Sequence, residues 1–474
     1  MQFDYDAIKN MVDSAQKQKS GFADSACQSS VACSSDGIYY QPAQAVKAAA
    51  AGAKALSKIT LEQRSEFIDA IRKKARAHAQ ELARIEVDET TMGRYENKVT
   101  KIVLTADKTP GIDDIKPRAY VGDFGLTVEE HLPYGVALCI TPSTAPCTTP
   151  IGNAICMIAA GNSTIFCPHP AAIKSTVRTV QIINEAITSV GGPPNLISCM
   201  GKSTIAFTDE LIAHPDVKLL VATGGPSIAK KLMSSGKKAI SAGDGNPPAL
   251  VDDTADIVNA ARCVLAGNYF ENGIQCIAEK GIIVLEGAAE RLIEELTNQG
   301  AFLIHDRATI ERLTKLVTMP DGTQNKAYLG KDPAVILKGL GIEVPADTKS
   351  IIYEVDRSHP TFMEEYLMPL IPIVRAKSIG EAIEISVDME HGRHHTAVIH
   401  SKNVTNLSDF VRAMACTIMV KNGPSYAGLG LGGEGTSAVT VSSPTGEGIT
   451  SPVTFTRMAR CVLVGEFNLR SSSI

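Results

Sequence analysis

A single cysteine in the segment ENGIQCIAEKGIIVLEG (residues 271–287) is the residue whose type and position point first to chemistry. Cys276 follows a short polar turn that contains glycine, and the apolar, strand-like run 281–286 lies just beyond it. A thiol in such a place is an inert buried group, a metal ligand or a nucleophile, and the last two roles require the thiolate. The rest of the sequence is needed to choose among these roles.

The eleven cysteines do not form a metal-binding or disulfide pattern. Their number is odd, no two are spaced as CxxC, and no histidine cluster has zinc-like spacing. This usage is typical of reduced, mostly buried thiols in an intracellular protein, so we expect no metal site. The N-terminus lacks the regions of a secretory signal, and we do not expect secretion.

Composition and charge favour a soluble globular protein of two or three domains. The 474 residues are 44% hydrophobic and 20% charged, and the net charge of −5 implies no general attraction to nucleic acid or anionic membrane. Residues 132–173 carry no Asp, Glu, Lys or Arg, but repeated prolines and polar residues interrupt them. We interpret this segment as the buried centre of a parallel sheet, not as a membrane span.

Strand-like and helix-like runs alternate along most of the chain, which predicts an α/β fold with a doubly wound parallel sheet. Long helical patterns cover 41–56 and 61–87, and a second βα-type region runs from about 248 to about 440. The strand-like runs of the first region are 135–141, 163–167, 196–200 and 217–223, and its helix-like stretches are 150–160, 171–187, 206–213 and 226–234. Nucleotides bind at the carboxyl ends of the strands in such a sheet.

Two glycine-containing stretches are candidate phosphate sites. The GxGxxG of AGLGLGGEG (427–435) is rejected as a dinucleotide fingerprint, because β-like and turn-rich sequence follows it instead of a helix. In VATGGPSIAKKL (221–232), Gly224 and Gly225 lie between a strand and a helix that begins with proline, where free N–H groups favour an anion. An ordinary βα turn explains this second stretch equally well when it is taken alone.

A rigid polar turn, Thr141-Pro142-Ser143-Thr144, follows the strand-like run 135–141. Its hydroxyl groups, and the amides at the start of the following helix, can face a ligand at this strand end. By itself the signal is weak.

Ten segments together make the chain resemble the aldehyde dehydrogenase superfamily and, within it, the CoA-acylating branch. They extend from about residue 40 to the C-terminus in family order and spacing, which is far more specific than any single motif. The segments are ETTMGRYENK (89–98), ITPSTAP (140–146), IAAGNSTIFCPHPAAIKST (158–176), ATGGPSIAKKL (222–232), GDGNPPALVDDTAD (243–256), QCIAEK (275–280), EEYLMPLIPIV (364–374), HTAVIHSKN (395–403), GPSYAGLGLGGEG (423–435) and TGEGITSP (445–452).

The resemblance implies a catalytic role for Cys276, which lies where the family keeps its nucleophile. Its thiolate would add to a short-chain aldehyde, propanal or acetaldehyde, and the thiohemiacetal would lose hydride to NAD and leave a thioester that passes to coenzyme A. Thr144 lies where hydrolytic members place an oxyanion-binding Asn, although many acylating relatives carry Asn at the position of Ala145; the N–H of Cys276 would be the second donor. Because a free thiol titrates near about 8.5, we expect local amides or a cation to favour the thiolate.

A missing acid separates the acylating reaction from hydrolysis. Hydrolytic members use a Glu to activate water, and a gap-free alignment of GDGNPP places Ser241 there, which cannot act as that base. Asp244 is interpreted as loop structure, and the histidines of EHGRHHTAVIHS (390–401), including His400, as packing or surface groups. A hydrolytic aldehyde dehydrogenase and a non-catalytic microcompartment cargo or scaffold remain the alternatives.

The resemblance also implies where NAD binds. Glu365 matches the carboxylate that bonds the nicotinamide ribose, and Leu367 replaces a ring-packing aromatic. The family's ribose-binding Lys and Glu appear as Cys167 and Pro170, and the loss of the ribose-facing acid weakens a strict preference for NAD over NADP. The expected cofactor-binding residues are Thr141, Pro142, His169, Pro170, Gly224, Gly225, Glu365 and Leu367.

We expect four parts in the chain, with an aldehyde dehydrogenase-like fold. A Rossmann-type dinucleotide-binding domain covers 38–121 and 138–247, and a catalytic α/β domain covers 248–438. A small β oligomerisation element, 122–137 with 439–474, is marginal alone and predicts a homo-oligomer, dimer or tetramer. The N-terminal helix and linker, 1–37, resemble the extension that targets enzymes into bacterial microcompartments. This likeness implies a cytoplasmic location inside such a compartment, with residues 1–20 on a shell protein.

Overall fold

The computed structural model describes residues 36–469 and confirms the α/β fold. The predicted N-terminal helix and the segment 1–20 lie outside the described residues. The helices are α1 (Pro42–Leu56), α2 (Leu61–Ala77), α3 (Ala79–Thr90), α4 (Tyr95–Lys108), α5 (Thr148–Ala160), α6 (Ile173–Ser189), α7 (Ile205–Ala213), α8 (Pro226–Met233), α9 (Ile257–Tyr269), α10 (Glu286–Asn298), α11 (Arg307–Val317), α12 (Pro333–Lys338), α13 (Pro360–Met363), α14 (Ile379–Glu390) and α15 (Val404–Met414).

The first sheet has six parallel strands in the order β1-β6-β5-β4-β7-β8, and β4 lies where the strand order reverses. Its strands are β1 (Ile38–Tyr39), β4 (Val136–Ile140), β5 (Ser163–Cys167), β6 (Ile197–Met200), β7 (Val217–Thr223) and β8 (Lys238–Ala242). In β4, Ala137 and Cys139 pack into one hydrophobic cluster and Val136 and Leu138 into another. Both faces of the strand are therefore buried, which explains why residues 132–173 lack charge.

The second sheet has seven parallel strands in the order β11-β12-β13-β10-β9-β14-β15. The strands are β9 (Pro248–Val251), β10 (Gly281–Leu285), β11 (Phe302–Ile304), β12 (Ile351–Glu354), β13 (Leu370–Ala376), β14 (Thr396–His400) and β15 (Ile418–Lys421). Ile282 and Val284 of β10 face one cluster, and Ile283 and Leu285 face the other. This sheet too is covered on both faces.

A third, antiparallel sheet joins distant parts of the chain in the order β18-β3-β2. It consists of β2 (Arg118–Gly122), β3 (Gly125–Pro133) and β18 (Thr456–Val464), and Cys461 of β18 lies opposite Val128 of β3. A separate two-stranded ladder is formed by β16 (Val441–Ser442) and β17 (Gly448–Ile449). The domain boundaries stay a prediction. The strand pairing places residues 118–122, which form β2, in the antiparallel sheet beside β3.

The helix expected over 61–87 is two helices. It is broken at His78, whose backbone (φ −101°, ψ 8°) ends α2 and begins α3. The periodicity continues through the break because buried side chains on both helices, Ile71 and Leu82 among them, belong to one cluster. Within residues 36–469, no helix has the length and apolar character needed to cross a membrane.

Candidate active site

A cavity of about 710 Å³ lies where the first and second sheets face each other. The turns that follow β4, β5 and β7 at their carboxyl ends supply one wall. The other wall comes from the segments that precede β9, β10 and β13, at the amino ends of the second sheet. The carboxyl-end edge of the first sheet, where ligands bind in such folds, is thus covered by the loops that lead into the strands of the second sheet.

The structure brings most of the predicted site residues together around this cavity. Thr141 and Pro170 do not line it: the N–H of Thr141 donates to Cys167 O (3.1 Å) and its hydroxyl is buried, while Pro170 is exposed and begins a short 3₁₀ helix. The predicted residues on the cavity wall are Pro142, Thr144, His169, Gly224, Gly225, Cys276, Glu365 and Leu367.

Cys276 is the cysteine on the cavity wall among those described. It is partly exposed, and it follows a tight turn in which Glu271 and Asn272 have left-handed backbones (φ 59° and 53°). The other described cysteines contribute nothing to the wall, and six of them are buried: Cys139, Cys147, Cys156, Cys167, Cys199 and Cys263. Position alone therefore distinguishes Cys276 as the candidate nucleophile.

The thiolate of Cys276 is not favoured in this state of the protein, contrary to the expectation. Burial, and next the carboxylate of Glu365, raise the pKa of the Cys276 thiol to about 12. The ammonium of Lys280 and the backbone N–H groups of Cys276 and Ile277 lower that pKa, but their effect is smaller. The expected cation and amides are thus present, yet desolvation outweighs them.

Two further ionisable groups stand next to the nucleophile. Burial raises the pKa of Glu365 to about 7, although Lys280 opposes the shift, and Glu365 accepts a hydrogen bond from the N–H of Gly245 (3.3 Å). Lys280 is buried, which lowers the pKa of its ammonium, and it donates to the carbonyl of Gly273. The thiol of Cys276 therefore experiences both a buried cation and a carboxylate that ionises near neutral pH.

The predicted phosphate turn has the geometry expected of it. Strand β7 ends at Thr223, Gly225 caps α8, and Pro226 is its first residue. A Cβ atom at Gly225 would meet no atom within 4 Å, so the backbone is open to the cavity here. Free N–H groups at this helix start, beside two glycines, suit a pyrophosphate.

Ser241, which the gap-free alignment places at the water-activating position, does not face the cavity. Ser241 is buried inside β8 and does not line the cavity, whereas the next residue, Ala242, does. Side chains alternate along a strand, so a shift of one residue moves the functional position to the other face. Neither residue carries an acid, and Asp244, which lines the cavity, is paired with Arg393 (2.8 Å).

Two histidines of the segment 390–401 are buried: His395 lies just before β14, and His400 is the last residue of that strand. His400 is buried in β14 and does not line the cavity. Burial lowers the pKa of His400 and of His395 to about 4, so both rings are neutral at physiological pH. Of the described residues, no cluster of three or more His, Cys, Asp and Glu side chains can hold a metal ion.

Three residues that the sequence did not single out complete the site. Lys101 of α4 lines the cavity and donates to the carbonyl of Thr144 (3.3 Å) and to Glu271 (2.9 Å). Gln324 accepts the N–H of Leu367 (2.9 Å) and also lines the cavity. The third residue is Glu271, the partner of Lys101. Its acidic side chain, inside the segment that carries Cys276, was the only feature of the sequence that could have indicated this contact.

The fold and the site define a class: an α/β enzyme whose cysteine faces a dinucleotide-type sheet edge. The chain belongs to the aldehyde dehydrogenase family, whose sequence profile matches residues 13–451. It is therefore an oxidoreductase of that family.

Three known proteins place it within the family. The acetaldehyde dehydrogenase (acetylating) EutE of Escherichia coli K12 is 40% identical over 438 residues, 91% of this chain and 93% of the relative. The propionaldehyde dehydrogenase of the fucose utilisation bacterial microcompartment of Clostridium phytofermentans has a TM-score of 0.90 and 44% identity, over 92% of this chain and 100% of that one. The propionaldehyde dehydrogenase of Rhodopseudomonas palustris, with bound CoA and an acylated cysteine, has a TM-score of 0.91 and 42% identity, again over 92% and 100%. The resemblance to the CoA-acylating branch is confirmed.

Alkylation of Cys276 by iodoacetamide should accelerate about tenfold per pH unit from about pH 7 to about pH 9, because the thiolate reacts and its fraction grows tenfold per unit below the pKa. The rate is measured by mass spectrometry of the peptide that contains Cys276. Cys139, which is buried, should stay unmodified in the folded protein as the control. A plateau near pH 8 would show that the thiolate is already stabilised.

Proposed function

We propose that this chain oxidises a short-chain aldehyde, propanal or acetaldehyde, to its CoA thioester with reduction of NAD. The observation that carries the proposal is that Cys276 is the described cysteine facing a cavity whose β8 wall bears no water-activating carboxylate. The relatives named above act on these two aldehydes. One of them is described with CoA and an acylated cysteine together, which is the pair of species that the reaction requires.

The residues on the wall fit a dinucleotide. The open backbone at Gly225 and the start of α8 suit the pyrophosphate, and the Glu365 carboxylate suits ribose hydroxyls. His169 faces the cavity and fits the adenosine end. When bound, NAD accepts the hydride of the aldehyde carbon. No carboxylate occupies the described adenosine-side turn of β5, so strict discrimination against NADP is not expected.

Cys276 performs the covalent chemistry. Its sulfur adds to the aldehyde carbonyl, and the oxygen that becomes anionic is stabilised by the Cys276 N–H and the Thr144 hydroxyl. As the sulfur attacks, the thiol proton passes to the neighbouring carboxylate of Glu365, and Lys280 and the amides of Cys276 and Ile277 stabilise the developing thiolate. Loss of hydride then leaves an acyl thioester on Cys276.

The acyl group is transferred to a thiol because the β8 wall lacks the carboxylate with which hydrolytic members activate water. In a hydrolytic enzyme, a carboxylate would have to lie on the β8 wall, where this chain has Ala242. Asp244 is the next acid along, and its carboxylate accepts a hydrogen bond from the guanidinium of Arg393 (2.8 Å). The thiol of CoA, a stronger nucleophile than water, therefore takes the acyl group.

The purified protein should form NADH from propanal at a rate that depends on CoA. Omitting CoA should lower steady-state turnover by at least about 100-fold, because the thioester is activated but no base primes water. NADH absorbance with and without CoA measures this, and a single turnover without CoA should give one equivalent of NADH.

Cys276→Ala should abolish both phases, whereas Cys263→Ala, at a buried cysteine outside the cavity, should retain them. Comparable rates without CoA would favour the hydrolytic alternative. An absence of NADH from any aldehyde would favour a non-catalytic cargo.

The third sheet supports an oligomeric state. Strand β18 is at its edge, and the sheet presents several exposed apolar side chains that a monomer would leave in water. These side chains are Tyr120, Phe124, Met458, Val462 and Val464. We propose that this surface pairs with another subunit to form a dimer or tetramer.

Val462→Asp should lower the molar mass in light scattering from that of an oligomer towards that of a monomer, because a buried charge without a partner is costly. Val404→Asp, at an exposed residue of α15, is the control and should leave the mass unchanged. A monomeric parent protein would contradict the proposal.

We further propose that the enzyme works inside a bacterial microcompartment, with residues 1–20 as the segment that docks on a shell protein. One relative comes from such a compartment. In the sequence, Tyr5, Ile8, Val12 and Ala15 share the spacing of one helical face, and a serine-rich linker follows.

Deleting residues 1–20 should abolish co-purification with co-expressed shell proteins while NADH formation stays at the parental rate. Replacing Ile8 and Val12 by Asp should have the same effect, since the apolar face would be lost. Unchanged co-purification of both variants would exclude this segment as the docking element.

A further inference from the structure

Four buried charges form a chain of ion pairs beneath the nucleophile loop. The ammonium of Lys98 donates to Glu86 (2.7 Å) and to Glu271 (2.9 Å), and the ammonium of Lys101 donates to the same oxygen of Glu271 (2.9 Å). The side chains of Glu86, Lys98 and Glu271 are fully buried, and that of Lys101 is 12% exposed. Two carboxylates face two ammonium groups, so the cluster is balanced in charge.

Glu271 ties this cluster to the segment that carries Cys276. Its second carboxylate oxygen accepts the N–H of Arg94 (3.2 Å), and its own N–H donates to the side chain of Asn97 (3.1 Å). Gly93 (φ +72°) makes the close approach feasible, since a Cβ atom there would lie 2.9 Å from the carboxylate. The left-handed backbone at Glu271 is thereby held from the side of α4.

Lys101 reaches a second loop as well. Its ammonium donates to the carbonyl of Thr144 (3.3 Å), in the turn that follows β4. One side chain on a rigid helix therefore contacts both the loop of Cys276 and the loop of Thr144, and it does so on the cavity wall. These loops supply the two donors that the proposed mechanism assigns to the developing oxyanion.

We propose that Lys101 is a positioning residue that fixes the Thr144 turn relative to the Cys276 loop, so that their two hydrogen-bond donors converge on one oxygen. The inference rests on the proposed function and assigns to Lys101 a role that acts through Glu271 and the Thr144 carbonyl. Donors aimed at a developing charge are effective only when their spacing is fixed.

Lys101→Met should lower kcat by about 10- to 100-fold, because displacement of a donor by about an ångström costs that order of rate. The KM for aldehyde should change much less, since the donors act mainly on the transition state. Lys101→Arg, which keeps a cation that can reach both carbonyl and carboxylate, should recover a large part of kcat. Lys47→Met, at an exposed lysine of α1, is the matched control and should behave like the parent.

A second variant separates positioning from stability. Lys101→Met alone leaves two buried carboxylates with one ammonium, so the melting temperature should fall. Adding Glu271→Gln restores the charge balance and should recover melting temperature, but kcat should stay low because the contact to Thr144 is still missing. If kcat returned together with the melting temperature, Lys101 would be a stabilising residue only, and the proposal would be overturned. Should the single variant fail to fold, the charge-balanced double variant supplies the same comparison.

A readout without turnover distinguishes failure of this inference from failure of the proposed function. Hydrogen exchange of residues 142–147 and 270–277 should accelerate in both the single and the double variant, whether or not the protein oxidises aldehydes. Exchange at the parental rate in both loops would overturn the role of Lys101 even if CoA-dependent NADH formation is intact. Conversely, the parent protein could fail to oxidise any aldehyde while hydrogen exchange is accelerated in the variants. That result would refute the proposed function but support the positioning role of Lys101.

Discussion

The molecule depends on how its two parallel sheets meet. The carboxyl ends of β4, β5 and β7 face the segments that enter β9, β10 and β13, and the cavity is what lies between them. Such strand ends release free N–H groups and glycine turns, which suit phosphates and ribose. The opposite wall supplies a thiol and a carboxylate. The two halves of the reaction, dinucleotide binding and covalent capture, thus come from different sheets.

Desolvation then determines the chemistry. Burial raises the pKa of Cys276 to about 12 and that of Glu365 to about 7. A thiol with a raised pKa is mostly protonated at neutral pH, and the thiol is the less reactive form of cysteine. The β8 wall has Ala242 instead of an acid, so it carries no group that could activate water to attack the thioester.

Much of the fold was readable from the sequence. The uncharged segment 132–173 predicted a sheet buried on both faces, and β7 and α8 begin and end within a residue of the predicted runs. The turn at Gly224 and the exposure of Cys276 to the cavity also followed the prediction. These features are local, since each depends on periodicity or turn chemistry within about ten residues.

What the sequence missed depends on contacts between distant residues. The facing of Ser241 is a question of strand register, which changes sides with a shift of one residue. The Glu271–Lys101 contact joins residues 170 positions apart, and no spacing rule reveals such a pair. The raised pKa of Cys276 likewise comes from desolvation by the surrounding residues of the fold, which the flanking residues QCIAEK do not encode.

The third sheet carries a consequence for biogenesis. Its hairpin, β2 and β3, leaves the ribosome long before β18, which pairs along the whole length of β3. During translation, the hydrogen-bonding edge of β3 therefore remains open while both parallel sheets can already condense. The proposed subunit surface, which includes side chains of β18, is therefore incomplete until β18 has been released. An open edge of this kind is also where a nascent-chain chaperone would be expected to act.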